Sequence, residues 1–377
     1  MRVRFSACGV LFIRRQTNLG FGTNKEGEPE FSSPKALEAI SFSKNLSARI
    51  SLPIEAQNPE EEFIPGGVRN TRPGAAEIGV ALEPQIQIEE RWLELADGRM
   101  RYLKAGSGPA LILIHGLMGY SFSWRFTIPA LAPHATVYAI DNLGAGLSIA
   151  NEGMDCTVRA TAERVLQFAD ALGITSFDLL GTSHGGGVAI MVAAVCAERC
   201  AERKDARLRC LVLVAPVNPW SPHGKRLAPF LGSAFGSMLF LSAFERWRFL
   251  DYLWLRRLFG DGSKIPPDSL QGYRMPVLKN HVFRHALRIA RNWTADLAEL
   301  ETALPKIRDY PTLLIWGTKD RAVDFRSAER LRRNFRDVRL VAFEGAGHLP
   351  YEEASGDFNR ALIDFLASGK RTTTASE

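Results

Sequence analysis

The sequence predicts an α/β fold in which a mostly parallel central sheet carries helices on both faces. Three observations lead there. Short unbroken apolar runs such as 110–114 (Ala-Leu-Ile-Leu-Ile) and 211–215 (Leu-Val-Leu-Val-Ala) suit strands buried on both sides. They alternate with segments of helical apolar spacing, the pattern of strand–helix–strand units joined by right-handed crossovers. One apolar run, 177–180, leads directly into Gly181-Thr182-Ser183-His184-Gly185 and then into the helix-compatible residues Val188 to Val192, which reads as strand, sharp turn and helix.

Taken in order, residues 1–85 show neither a 3.6 nor a 2 period. They hold a polar stretch at 24–30, an acidic one at 59–62 and the breakers Pro65-Gly66-Gly67 and Pro73-Gly74, so they are expected to form a poorly ordered extension with a short helix near 35–40. Order is expected from about residue 86. Residues 91–95 and 100–105 read as a hairpin about Ala96-Asp97-Gly98, and 110–114 as a buried strand ending at His115-Gly116. A helix is expected over 121–131, a strand over 136–140 ending in Asp141, and an amphipathic helix over 157–172 with Val165, Phe168 and Leu172 on one side. After the strand 211–215 the alternation lapses until 312–316, which is followed by a helix over 325–335, a strand over 338–343 and a last helix over 353–366.

The expected organisation is therefore a core over 86–216 and 305–368, a helical cap or lid over 217–304 and a disordered tail over 369–377. The cap segment is rich in aromatics, among them Phe230, Phe235, Phe240, Trp247, Tyr252 and Trp254, with basic residues between them. Placed after the strand beyond the Ser183 turn, it would overhang the carboxyl ends of the strands, where sites in such sheets lie.

Composition narrows the function. A chain of 377 residues with 46% hydrophobic content is long enough for a packed core. The net charge of +6 is spread out, with no basic tract interleaved with aromatics, so no nucleic-acid partner is expected. Five cysteines without a C-x-x-C pair read as reduced, structural thiols. The first fifteen residues imitate a signal peptide, but Arg14-Arg15 follow the apolar stretch directly and no small-residue cleavage site is evident, which favours a cytoplasmic setting. No apolar run is long enough for a membrane span, although the aromatic and basic cap is compatible with membrane-surface association.

The chemistry centres on Ser183. A serine hydroxyl is a weak nucleophile that needs a base within reach and a third group to hold that base. Both must stand at strand ends. Asp320 follows the strand 312–316 in Trp316-Gly317-Thr318-Lys319-Asp320, and His348 follows the strand 338–343 in Gly345-Ala346-Gly347-His348. The chain order Ser183, Asp320, His348 suits a triad mounted on such a sheet. Asp324 is the rival acid but sits where it would cap the next helix. For the oxyanion, the backbone N–H groups of His184 and Leu117 are the expected donors, the first at a helix N-terminus. The His184 side chain is read as pocket lining and His115 as a structural group bonded to its loop. His281 and His285 are one helical turn apart, but Val282 stands where H-E-x-x-H requires glutamate, so no metal is expected. No phosphate loop or dinucleotide fingerprint is present, and no cofactor is expected.

Over roughly 90–368 these residues resemble the alpha/beta-hydrolase fold family. The resemblance rests on His115-Gly116, on Asp141-Asn142-Leu143-Gly144-Ala145-Gly146-Leu147-Ser148, on Gly181-Thr182-Ser183-His184-Gly185, on Trp316 to Asp320 and on Gly347-His348. It implies Ser183 as nucleophile, Asp320 as acid, His348 as base and a cap over 216–304. Epoxide hydrolases and haloalkane dehalogenases of the family carry aspartate at the nucleophile position, where Ser183 stands here. Leu117-Met118-Gly119-Tyr120 replaces the glycine-proline pair often seen after His-Gly in the carbon-carbon bond hydrolases, and the H-G-G-G loop of one lipase and esterase branch is missing. The expected activity is hydrolysis of a small to medium, largely apolar carboxylic ester. A carbon-carbon bond hydrolase, a thioesterase and a non-catalytic ligand-binding member are the alternatives.

Overall fold

The structure, a computed structural model, describes residues 86–201, 208–221, 224, 228–246, 249–277 and 280–369. The expectations placed on 1–85 lie outside these residues.

Strands β1 (Ile88–Leu95) and β2 (Gly98–Ala105) form the expected hairpin, with Leu95 paired to Gly98 across a two-residue turn. Then follow β3 (Ala110–Ile114), a short helix α1 (Ile128–Leu131), β4 (Thr136–Ile140) and the two-residue strand β5 (Ile149–Ala150). Helix α2 (Val158–Ala171) starts where the Thr157 hydroxyl accepts the Ala160 N–H. Strand β6 (Phe177–Thr182) leads into α3 (His184–Ala201), and β7 (Leu208–Val214) follows. Next come α4 (Ala228–Gly232), α5 (Ala234–Arg246), α6 (Phe249–Leu258), α7 (Ser269–Val277) and the long α8 (Asn280–Ala303). The chain closes with β8 (Thr312–Gly317), α9 (Arg326–Arg332), β9 (Val338–Phe343), α10 (Pro350–Glu353) and α11 (Ser355–Gly369).

The sheet order is β1-β2-β4-β3-β6-β7-β8-β9, with β5 paired to β2. From β4 to β9 every neighbouring pair is parallel, while β1 and β2 run antiparallel at one edge. Because successive side chains of a strand point to opposite faces, each central strand feeds two cores. Ile112, Ile114, Leu213 and Trp316 join the core beneath α2, α3 and α9. Leu111, Leu113, Val212 and Ile315 join the other, with Leu131 of α1 and Phe358 and Leu362 of α11. This two-sided burial is why those strands read as continuous apolar runs.

Three local expectations need correction. Residues 121–131 do not form one helix: a 3-10 turn over Ser121–Trp124 precedes α1, and Pro129 stands at the start of α1, where its missing N–H costs nothing. The final helix is split, since Ala354 leaves the helical region (φ −141, ψ 46) between α10 and α11. Gly369, assigned to the tail, is the last residue of α11; residues 370–377 lie outside those described.

Candidate active site

The turn between β6 and α3 places Ser183 with φ +54, a left-handed conformation that L-residues adopt at a cost of about 1–3 kcal/mol. The surroundings hold it there. Ser183 N–H donates to the Val214 carbonyl at 2.9 Å, and its own carbonyl accepts from Gly186 at 3.0 Å and Val217 at 2.8 Å. The flanking glycines are sterically required: a Cβ on Gly181 would lie 2.2 Å from the Gly185 carbonyl oxygen, and one on Gly185 would lie 2.3 Å from that of His115.

The fold brings His348 and Asp320 together. His348 Nδ1 lies 2.7 Å from Asp320 Oδ2, and both side chains are almost wholly buried. Asp320 is held from its other oxygen, which accepts the N–H groups of Ala322 at 2.7 Å and Val323 at 2.9 Å. With Nδ1 engaged by the carboxylate, Nε2 is the ring nitrogen left for other partners. His348 and Ser183 line one cavity of about 220 Å³, joined by Leu117, Met118, Trp254, Tyr273 and Trp293. Asp324 behaves as a cap, its carboxylate accepting the Arg326 N–H at 2.9 Å at the start of α9.

Leu117 also lines this cavity, beside Met118, which has φ +62 in a tight turn where Gly119 N–H donates to Gly116. Neither the Leu117 nor the His184 N–H takes part in the turn and cap hydrogen bonds of the described residues. His115 is the structural group expected: Asn142 N–H donates to its Nε2 at 3.0 Å, which leaves Nδ1–H to donate to the Gly116 carbonyl at 2.8 Å. Burial holds its pKa below the ordinary histidine value, so the ring stays neutral in this role.

The His184 side chain departs from expectation. It does not line the main cavity but turns into a small crevice walled by Trp293, Asp296 and Leu300 among others. It stacks on the Trp293 ring at 6.3 Å, and burial pulls its pKa down to about 4. The position after Ser183 faces inward from the first turn of α3, under α8, and that geometry decides its direction. His285 likewise packs inward, 3.6 Å from the Cys156 sulfur, whereas His281 is exposed.

Four acidic residues order the surroundings, and their roles escaped the sequence reading. Asp141, with a wholly buried side chain, accepts the N–H of Ser121 at 2.7 Å and of Leu147 at 3.1 Å and pairs with the buried Arg101 at 3.1 Å. It thereby organises the 141–148 loop. Glu352 accepts both Arg125 terminal nitrogens at 3.0 Å, the Ser269 hydroxyl and the Tyr273 hydroxyl, so it ties the core to α7. Glu353 accepts the N–H groups of Gly260 and Asp261 beyond α6 and that of Gly347. Asp296 caps α2 through the Val158 N–H at 3.1 Å. Glu352 and Glu353 do follow His348 closely, but nothing in their spacing distinguishes them from surface acids.

A parallel sheet with a serine on the turn after its central strand, and a buried histidine-carboxylate pair at neighbouring strand ends, defines an α/β hydrolase. Residues 109–355 match the alpha/beta hydrolase fold family, and the chain belongs to it. It is similar to haloalkane dehalogenase 2 of Mycobacterium tuberculosis, with 30% identity over 75% of this chain and 96% of that protein. It is 24% identical to monoacylglycerol lipase ABHD6 of Homo sapiens, over 71% of this chain and 78% of that protein. Among solved structures, 2-hydroxy-6-oxo-6-phenylhexa-2,4-dienoate hydrolase from Rhodococcus sp. strain RHA1 superposes with a TM-score of 0.62 at 20% identity, over 75% of this chain and all of that one. Its named relatives are hydrolases, and the protein is a hydrolase of this family.

Proposed function

We propose that the protein hydrolyses carboxylic esters of small to medium, largely apolar substrates through an acyl-enzyme. The observation that carries this reading is the cavity lined by both Ser183 and His348, the latter bonded to Asp320, between walls that are mostly apolar. Ser183 Oγ attacks the ester carbonyl carbon and passes its proton to His348 Nε2. The oxyanion takes the N–H groups of Leu117 and His184, fixed before the charge develops. Collapse expels the alcohol, which receives the proton from His348. Water then loses a proton to His348 as it attacks the acyl carbonyl, and release of the acid restores Ser183. Asp320 orients the imidazole and stabilises its charged form. The helices of 228–303 serve as the cap, since Trp254, Tyr273 and Trp293 wall the cavity from that side.

Serine at the nucleophile position supports an acyl-enzyme over the aspartyl chemistry of the dehalogenase branch. The name of the Rhodococcus enzyme's substrate carries a carboxylate, and among the described residues no Lys or Arg lines the cavity here, which favours an uncharged ester over such a substrate. Reaction with a fluorophosphonate probe, followed by mass mapping, tests the reading. Labelling at Ser183 that is lost in Ser183→Ala and His348→Ala is expected, with turnover highest on apolar esters in an acyl-length series. Folded protein that takes no label, or turnover greatest on short charged esters, refutes it.

A further inference from the structure

The segment 217–304 holds twelve Lys and Arg against seven Asp and Glu, so five of the chain's six net positive charges fall within it. Its acids are largely occupied. Asp251 pairs with Arg274 at 3.0 Å, Asp268 with Arg125, and Glu299 with Arg159, while Asp296 is buried. Arg256, Arg257, Lys264 and Arg284 are exposed.

The same segment carries seven of the eleven large apolar side chains exposed among the described residues. Phe235, Met238 and Leu239 recur at i, i+3 and i+4 on α5 and are 64%, 60% and 51% exposed, while the next residue, Phe240, packs against Phe283 of α8. On α6, Trp254 and Leu255 face the cavity and Leu253 faces out; on α7, Tyr273 faces in and Met275 out. A small side pocket of about 20 Å³, sharing Met118, Trp254, Leu255 and Tyr273 with the main cavity, is walled by Asp251 and Arg274 of these two helices. Leu253 and Met275 therefore sit outward on helices that enclose the cavity, while Phe235, Met238 and Leu239 lie on α5, which does not line it.

We propose that this insert is a membrane-docking surface whose occupant is a bilayer with anionic headgroups. Apolar side chains on an amphipathic surface enter the interfacial layer, and exposed basic side chains beside them draw it to negative headgroups. Neither feature suffices alone: exposed apolar residues without charge would suit a second copy of the chain, and charge without apolar residues an acidic protein. Here they meet on α6, where the exposed Tyr252 and Leu253 stand one turn before the exposed Arg256 and Arg257. Docking in this way turns the walls of the cavity toward a source of apolar substrates.

Flotation of the full-length protein with phosphatidylcholine vesicles, with and without phosphatidylglycerol, tests the proposal. Binding is expected to the anionic vesicles, to fall roughly tenfold in Phe235→Glu/Met238→Glu and in Arg256→Glu/Arg257→Glu, and to weaken in high salt. All four positions are exposed and outside the cavity lining, so melting temperature and hydrolysis of a water-soluble ester are expected to persist. Absence of binding to the anionic vesicles, or equal binding by both double variants, overturns the proposal. So does a dimer, seen by light scattering, that dissolves in Phe235→Glu/Met238→Glu while vesicle binding survives. Ser183→Ala is expected to float like the parent, which separates this result from the fate of the catalytic reading.

Discussion

The Glu353 carboxylate accepts the N–H of Gly347, the residue before His348, at 2.5 Å. With its other contacts it clasps the Gly260 and Asp261 amides at the end of α6, while His348 N–H donates to the Leu258 carbonyl at 2.7 Å. One buried side chain thus ties the loop bearing the histidine to a helix that walls the cavity.

Glu353 is in this light a positioning residue. Glu353→Gln keeps an acceptor but loses the charge, and Glu353→Ala leaves three amides without their acceptor. The alanine variant is expected to lower kcat by one to two orders of magnitude with KM changed little, and the glutamine variant to recover part of that loss. Steady-state kinetics on a chromogenic ester, with circular dichroism to confirm folding, checks this. A loss confined to KM or to folding would assign Glu353 a merely structural part.

Asp320→Asn preserves shape and the amide contacts of Ala322 and Val323 but presents the wrong partner to His348 Nδ1. A loss of about 10³–10⁴ in kcat is expected. Asp324→Asn, at the cap of α9, is expected to leave kcat within a fewfold. Comparing the two by kcat on one ester decides which acid serves the histidine.

Asp296 makes stability depend on pH. Burial raises its pKa from 3.8 to about 6, against a smaller opposing effect of the Val158 N–H. Below about pH 4 the group is protonated in both folded and unfolded chains. Between about pH 4 and 6 the unfolded chain ionises while the folded one keeps its proton, so stability is lost as pH rises, and above pH 6 the penalty is complete. Asp296→Asn keeps an acceptor for Val158 and removes the ionisation. Its melting temperature is expected to exceed the parent's by a few degrees at pH 8 and to match it at pH 4. An equal difference at both pH values would assign the effect to packing instead.

The sequence by itself determined the parallel sheet, because strands such as 110–114 and 312–317 are buried on both faces and can contain little but apolar residues. It also determined the strained turn at Ser183, since only glycine fits at 181 and 185, and the placing of Asp320 and His348 after their strands. Those are local demands, written in adjacent residues. Only the tertiary structure decided that the His184 ring turns from the main cavity toward Trp293, that Glu352 and Glu353 anchor the 269–273 and 260–261 segments, and that Asp141 receives Arg101. Each depends on partners from 40 to 109 residues away, brought together by packing that no short pattern encodes. The physical reason is the same in every case: a buried polar group must find its partner wherever the fold delivers one, and its own sequence surroundings need carry no trace of that partner.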